Sequence, residues 1–548
     1  MGASFALAGL GLAGCRRWPE TKIVPSASQA ANRIPGEPVF YSTAWDFGGF
    51  AQPLLAKSYD GRPIKLDTNP AHPWGGAGTS ATTQAQILGL YDPERSRTVL
   101  SSGAHSSYAP FSTFLRTKAT ALRSSGGKGL AILTDFHSGP SHGDMVARVK
   151  SAFPQATIVS WESLSRDNAT KGTALAFGVQ RRALPSFDQA QVIVSLNDDF
   201  LYGTPDSPKW ARQWSVGRSI DATDAKTQQL SRLYCIENGL TTTGMNADER
   251  IAVRLNEIGA IAALIAQGVG ADGGSGELKS AIDAIAIAPS TQAALTGSSS
   301  PRAQEAIAAL VADLKSHQGT SLVTAGATAS ATTHALVAAI NRTLGNEGKT
   351  VNYIAEPIDA SGAAFAQLCS AMNAGSVDTL LILGGNPVYD APVDCNFASG
   401  MTKVANVIHL GMYADETAMH PSCSWHIPQS HFLECWGDGR SFDGTVSFQQ
   451  PLILPMIPEG QGGRSDIEIL AELLGSEPTD GYSIVRRTHL AASGLSGPAF
   501  DSAWRTWLDH GFVQGSSATQ INGAPIAGGA IAGALRADAS SYPFTAVL

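Results

Sequence analysis

Hydrophobic and polar positions along this chain follow two periods in turn. Between residues 38 and 66 the apolar residues come in short extended runs broken by Gly and Pro, Val39-Phe40-Tyr41 and Pro63-Ile64-Lys65-Leu66 being the clearest. That pattern predicts a small β-rich layer. From residue 111 the period lengthens: helices are predicted over 111–124 and 141–152, with buried strands over 130–134, 157–160 and 192–196. This is the alternation of βαβ units. A second alternation follows a helical stretch at 247–267 and a Gly/Ser-rich interval at 271–276. Pro301 stands at the first position of a helix running to Ser316, and strands at 321–325, 351–355, 379–383 and 404–410 then enclose helices at 332–344 and 363–374. Such a succession predicts a doubly wound parallel sheet. Residues 421–458 lose the helical period and read as loops and short strands, followed by a helix over 466–474. Residues 515–539 show no clear period, and 544–548 read as the start of a strand that is cut short.

With 548 residues, 43% hydrophobic and only 15% charged, the chain has material for several buried cores. A formal charge of −8 without a basic stripe argues against a nucleic-acid partner, whose phosphates need clustered Lys and Arg. The segments expected are 1–14, 15–37, 38–110, 111–250, 251–420 and 421–548.

The first fourteen residues carry no charge and have the length of a signal-peptide core rather than of a membrane span. They end in Leu12-Ala13-Gly14-Cys15, the form of a bacterial lipobox, so Cys15 is the expected site of lipidation and the following residues a tether. No positively charged segment precedes the apolar run, which is what the remnant of a longer signal would look like; Arg16 and Arg17 follow it. The expected location is the outer, periplasmic face of the cytoplasmic membrane. A GxGxxG string at residues 9–14 lacks the preceding strand of a dinucleotide site, and Gly348-Lys349-Thr350 has Thr343 where a Walker loop needs glycine.

Six cysteines, Cys15, Cys235, Cys369, Cys395, Cys423 and Cys435, never come close enough to give a CxxC pair. The chain therefore holds no local motif for an iron–sulfur cluster, and the mature cysteines read mostly as small buried residues. One polar constellation, from His409 to Asp438, gathers Asp415, Glu416, His420, Cys423, His426, His431, Glu434 and Cys435. A zinc site supporting hydrolysis is one expectation for it; a chance cluster in a loop-rich segment is the other. The turn Leu383-Gly384-Gly385-Asn386-Pro387 follows an apolar strand, at the carboxyl edge where parallel sheets bind ligands, and Asn197-Asp198-Asp199 is similarly placed. Either turn could line a crevice.

Several motifs, in order, resemble the molybdopterin oxidoreductase superfamily: Gly61-Arg62-Pro63-Ile64-Lys65-Leu66, Asn69-Pro70-Ala71-His72-Pro73, Leu90-Tyr91-Asp92-Pro93-Glu94-Arg95 and the 383–387 turn. Asp415-Glu416-Thr417, Leu433-Glu434, Gly437-Asp438, Asp443-Gly444 and Gln450-Pro451 continue the series. Within it, Cys15, Trp18-Pro19, Lys22-Ile23-Val24-Pro25, Arg232-Leu233-Tyr234, Glu237, Thr243-Gly244 and Ala247-Asp248 resemble the B subunits of alternative complex III, a quinol-oxidising membrane complex. The resemblance implies a molybdopterin-oxidoreductase-like α/β fold of doubly wound parallel sheets with a small β-rich N-terminal layer, its C-terminal β-domain absent or truncated. It implies a non-catalytic structural and assembly role, with no catalytic residues and no metal ligands carried over. Gly385, Asn386, Pro387, Asp415, Glu416 and Thr417 would mark a vestigial pterin cleft. No cofactor is expected on this chain; iron–sulfur clusters are expected on a following domain or a partner, beside quinol-binding membrane subunits and haem c subunits. The alternative is an active molybdopterin-dependent oxidoreductase.

Overall fold

The computed structural model of the chain describes residues 34, 36–220, 230–286, 302–358, 362–475 and 478–538. Cys15, the signal segment, most of the tether, Pro301 and the 544–548 run lie outside these residues.

The β-rich N-terminal layer forms as its spacing predicts. Strands β1 (Val39–Phe47), β2 (Phe50–Tyr59) and β3 (Arg62–Thr68) make an antiparallel sheet. Gly48 and Gly49, at φ of 57° and 80°, supply the left-handed pair that the two-residue β1–β2 hairpin needs. The chain then lays down β4 (Leu100–Ser101), β5 (Ala104–His105), β6 (Leu130–Thr134), β7 (Thr157–Ser160) and β8 (Arg181–Pro185). Next come β9 (Val192–Leu196), β10 (Arg232–Glu237), β11 (Glu249–Ala252), β12 (Ser321–Ala325) and β13 (Val351–Ala355). β14 (Thr379–Leu383), β15 (Asn406–Gly411), β16 (Cys423–Pro428), β17 (Gly437–Arg440) and β18 (Val446–Gln449) follow.

Two parallel-stranded sheets organise these pieces. The larger has seven strands in the order β5-β4-β16-β15-β14-β6-β7, and the smaller has four, β11-β10-β9-β12. All five residues of β6 and of β14 are buried, because helices cover both faces. Leu130, Ile132, Leu381 and Leu383 pack into one core with Phe111 and Leu115, while Ala131, Leu133, Leu380 and Ile382 pack into another with Phe365 and Leu368. The twofold alternation of side chains along a strand thus builds two cores from one apolar run. A third core surrounds the smaller sheet and the helix Ile258–Val269.

Three expectations are corrected. Strands 321–325, 351–355, 379–383 and 404–410 do not share a sheet: β12 joins the smaller sheet, β13 pairs antiparallel with β8, and β14 and β15 join the larger. The larger sheet takes strands from both 111–250 and 251–420, as does the smaller, so the sheets cut across the boundary expected at residue 250. Succession along the chain carries no information about which earlier strand a later one will join. The stretch 247–267 is not one helix; β11 occupies Glu249–Ala252, pairs with β10, and is separated by a short turn from the helix at Ile258. Pairing with a neighbour overrides local propensity there. Residues 515–539, without a readable period, include the helix Gly528–Asp538, whose Ile531, Ala532 and Leu535 pack onto the third core. Its small residues hid the stripe. Among the described residues, no helix is long and apolar enough to cross a membrane.

Candidate functional site at the carboxyl edges of the sheets

Each sheet reverses its winding once. In the larger, the chain runs from β6 to β7 on one side and from β14 through β15 to β16 on the other, so the switch point lies between β6 and β14. In the smaller, β9 leads to β10 and β11 on one side while β12 lies on the other. A crevice opens beyond the strand ends at such points, because successive connections leave for opposite faces.

The 384–387 turn lies at the first switch point. Asn386 Oδ1 accepts from the Thr417 N–H (3.1 Å) and hydroxyl (2.7 Å), and Asn386 Nδ2 donates to Glu416 Oε2 at 2.6 Å. Thr417 Oγ1 also accepts from Val388 N (3.1 Å), Pro387 opens the short helix Pro387–Asp390, and Asp415 caps the helix Glu416–Met419 through Ala418 N at 3.0 Å. The structure therefore brings the six expected residues together as a clasp whose polar groups bond one another. Gly384 and Gly385 have φ of 88° and 68°, and the Gly385 carbonyl is 3.1 Å from His409 Nε2.

Facing this clasp are residues that the sequence reading missed. Asp135 and His137 follow β6 directly, Glu162 follows β7, His142 sits in the first turn of the helix Pro140–Ala152, and Asp466 is the first residue of the helix Asp466–Leu474. Asp438 fixes the first of these helices: it accepts from Ser141 N (3.0 Å) and from the Ser141 hydroxyl (2.5 Å). A capping box of Ser465 and Glu468 fixes the second. His142 Nδ1 then lies 2.6 Å from Asp466 Oδ2, His137 Nε2 lies 3.8 Å from that same oxygen, and His137 Nδ1 lies 3.8 Å from Asp46 Oδ2. The two imidazoles stack at 4.3 Å. The available signal was the rule already applied to the 384–387 turn, since Asp135-Phe136-His137 ends an equally apolar strand.

Carboxyl groups crowd this crevice, and burial shifts them. Burial, reinforced by Asp390, Asp46 and Asp466 against His137, pushes Asp135 up to about 7. Burial and Asp135 push Glu162 up to about 8. His137 is lowered by burial, but Asp466 and Asp46 outweigh this and raise it to about 10. Asp466, despite burial, is held well below the usual carboxylate range by His137 and His142. A Cβ at Gly384 would run into Asp135 Oδ2, and its backbone is left-handed, so Gly384→Ala is expected to lose about 1–2 kcal/mol and to displace Asp135. Chemical denaturation and the carboxyl NMR titration of Asp135 check both effects.

The second switch point carries a cavity of about 130 Å³, lined in part by Arg166, Arg182, Asp198, His334, Glu356 and Phe442. Arg182 is fully buried, paired with Glu356 and donating to the Phe442 carbonyl at 3.0 Å. Asp199 is consumed by Thr243, accepting from its N–H and hydroxyl at 2.9 and 2.7 Å. The Asn197 and Gly384 turns thus serve two sheets rather than one crevice.

The constellation at 409–438 does not converge on a metal. His409 and His426 meet at 3.2 Å with Ser96 behind them, and His431 donates to or accepts from Gln86 O, Leu433 N and its own turn. Glu434 pairs with Arg95, Asp438 caps a distant helix, and Cys435 takes Gln449 Nε2 at 3.2 Å. His426, His431, Glu434 and Cys435 bond different neighbours and Glu416 bonds Asn386 in the clasp, so these groups do not gather around one point, against the zinc expectation. Cys235, Cys369 and Cys423 are buried free thiols, and Cys395 and Cys435 half-buried ones.

No family model matches the sequence, and no curated protein matches it. Among solved structures, acetylene hydratase from Pelobacter acetylenicus superposes with a TM-score of 0.61 at 10% identity, over 84% of this chain and 73% of that one. The fold is molybdopterin-oxidoreductase-like. At that identity the likeness concerns the molybdopterin-oxidoreductase-like fold alone, and the chemistry must be argued from the two crevices.

Proposed function

We propose that the chain is a pterin-free structural member of a quinol-oxidising electron-transfer complex, in the position of the B subunit of alternative complex III. One observation carries this: the crevice between β6 and β14 is closed by its own clasp and faced by Asp46, Asp135, Glu162 and Asp466. A pterin carrying phosphates is anionic, and the carboxyl groups of Asp46, Asp135, Glu162 and Asp466 offer it no lysine or arginine to pair with. The second crevice fits no better. Its volume of about 130 Å³ falls below the roughly 300 Å³ at which ligand pockets begin, and Arg182 is already committed to Glu356. The residues present do not suit the group that the fold family implies, and no step is derived through it.

The chain positions partners rather than reacting. Cys15 carries the lipid that holds it to the periplasmic face of the membrane, beside a cluster-bearing domain or subunit, quinol-binding membrane subunits and haem c subunits. The competing reading, an active molybdopterin enzyme, is favoured by Arg166, which lines the second cavity with its guanidinium 5.0 Å from the centre of the Phe442 ring. Affinity purification from native membranes separates the two. The expected result is co-elution with proteins showing haem c absorption and iron–sulfur signals, without stoichiometric molybdenum or tungsten; one equivalent of either metal in the isolated chain would overturn the proposal.

A further inference from the structure

The mutual arrangement of His137, His142, Asp466 and Asp46 is unexplained by a pterin-free scaffold. We propose that His137 Nε2, His142 Nδ1 and Asp466 Oδ2 bind one divalent transition cation of the zinc class, with Asp46 orienting His137. These three residues are, among the described residues, the one group whose ligand atoms all lie within 4.8 Å of one another.

Tetrahedral zinc with bonds of about 2.0–2.1 Å places its ligand atoms roughly 3.3 Å apart. Here the His142–Asp466 and His137–Asp466 separations are 2.6 and 3.8 Å, on either side of that value. The two ring nitrogens lie within 4.8 Å of one another, and the stacked imidazoles must rotate apart for all three ligand atoms to meet one centre. The second nitrogen of His137 supports the assignment. Nδ1 faces Asp46 Oδ2 at 3.8 Å, and that oxygen is buried without a hydrogen-bond partner. A carboxylate behind a ligating imidazole fixes the tautomer that presents the other nitrogen to the metal.

The setting matches. Two of the three ligands come from capped helices, His142 from one begun by Pro140 and Asp466 from one with a full capping box, while His137 lies in the segment between β6 and the first of these helices. Two imidazoles and a carboxylate suit zinc or cobalt better than calcium or magnesium, which take oxygen ligands. Three protein ligands leave a fourth position for water or for a group from a partner.

The test is titration of chelator-treated full-length protein with Co²⁺, read by visible d–d absorption, and with Zn²⁺, read by calorimetry. One equivalent is expected to bind, with Zn²⁺ displacing Co²⁺. His142→Gln and Asp466→Asn are expected to weaken binding at least 100-fold, and Asp46→Asn about 10-fold, with circular dichroism unchanged. Should the first two misfold, Asp46→Asn and the wild-type cobalt spectrum still decide. A wild type that gives no saturable cobalt band, or zinc retained equally by His142→Gln and Asp46→Asn, overturns the proposal and leaves a hydrogen-bonded stack only. Neither outcome bears on co-purification with haem and cluster partners, so this site and the scaffold role fail separately.

Discussion

Glu434→Ala is expected to destabilise the protein by about 3–5 kcal/mol, enough to remove a large part of the stability of an ordinary domain. Glu434 is fully buried at its side chain and saturates four donors: Arg95 Nη1 at 3.0 Å, Arg95 Nη2 at 2.6 Å, Met456 N at 2.8 Å and His431 N at 2.9 Å. Alanine would leave a guanidinium with 4% side-chain exposure facing the Leu90 carbonyl, and the buried His431 N–H without its acceptor. The loss comes from the stranded charge more than from the pair itself. Glu434→Gln should recover part of it, because its one amide oxygen keeps an acceptor for either Met456 N or His431 N. The double variant Arg95→Met, Glu434→Leu should be closer to wild type than Glu434→Ala, because both charges go together. Urea unfolding of the four proteins measures the coupling; a Glu434→Ala cost below about 1 kcal/mol would mean that the pair is solvated in solution.

That pair also shows what was legible in the sequence. Arg95 and Glu434 belong to two of the motifs that carry the superfamily resemblance, 339 residues apart, and the fold joins them into one buried ion pair. His72, Asn69, Asp438 and Gln450 behave alike: Asn69 donates to the His510 carbonyl at 2.7 Å, Asp438 caps a helix, and Gln450 Nε2 donates to the Ser42 and Leu508 carbonyls at 3.0 and 2.7 Å. The motifs were readable as strings, but their work is to satisfy polar groups between distant segments. Strands were legible for a simpler reason. Buried parallel strands are short unbroken apolar runs, so Leu130–Thr134, Val192–Leu196, Ser321–Ala325 and Thr379–Leu383 stand where the pattern put them. Their sheet membership was not legible, because a parallel strand can pair with any partner of matching length. The acidic crevice was missed for the same reason: Asp46, Asp135, Glu162 and Asp466 are separated by tens to hundreds of residues, and only the strand order makes them neighbours.

Stability should fall steeply as pH drops from about 6.5 toward 4.5, and two histidines of one design account for much of the fall. His72 Nδ1 accepts from Trp74 N at 3.0 Å while its Nε2 meets Ser447 Oγ at 3.0 Å; His431 Nδ1 accepts from Leu433 N at 3.2 Å while its Nε2 meets the Gln86 carbonyl at 3.1 Å. In each ring Nδ1 must stay unprotonated to accept a backbone N–H two residues on, so the neutral tautomer with a proton on Nε2 is built in. Burial, assisted by Lys209, lowers His72 to about 3, and burial with Arg95 lowers His431 to about 4. The unfolded chain takes up protons near 6.5 and the folded chain does not. Their contribution is therefore intact above 6.5 and lost as the pH falls below it, at a limiting rate of about 1.4 kcal/mol per pH unit for each ring. His334 and His426, lowered by burial to about 4 and about 3, add the same sign, while Asp135, Glu162, Asp198, Asp206 and Asp390, raised by burial, oppose it. In His72→Asn, Oδ1 replaces Nδ1 as acceptor for Trp74 without a titrating ring. Its unfolding free energy is expected to fall less steeply than that of the wild type between pH 6.5 and 4.5, by roughly 1 kcal/mol per pH unit at the midpoint of that range. Identical slopes in calorimetric scans of the two proteins would place the acid sensitivity elsewhere, in the other buried histidines or in the Arg95–Glu434 pair.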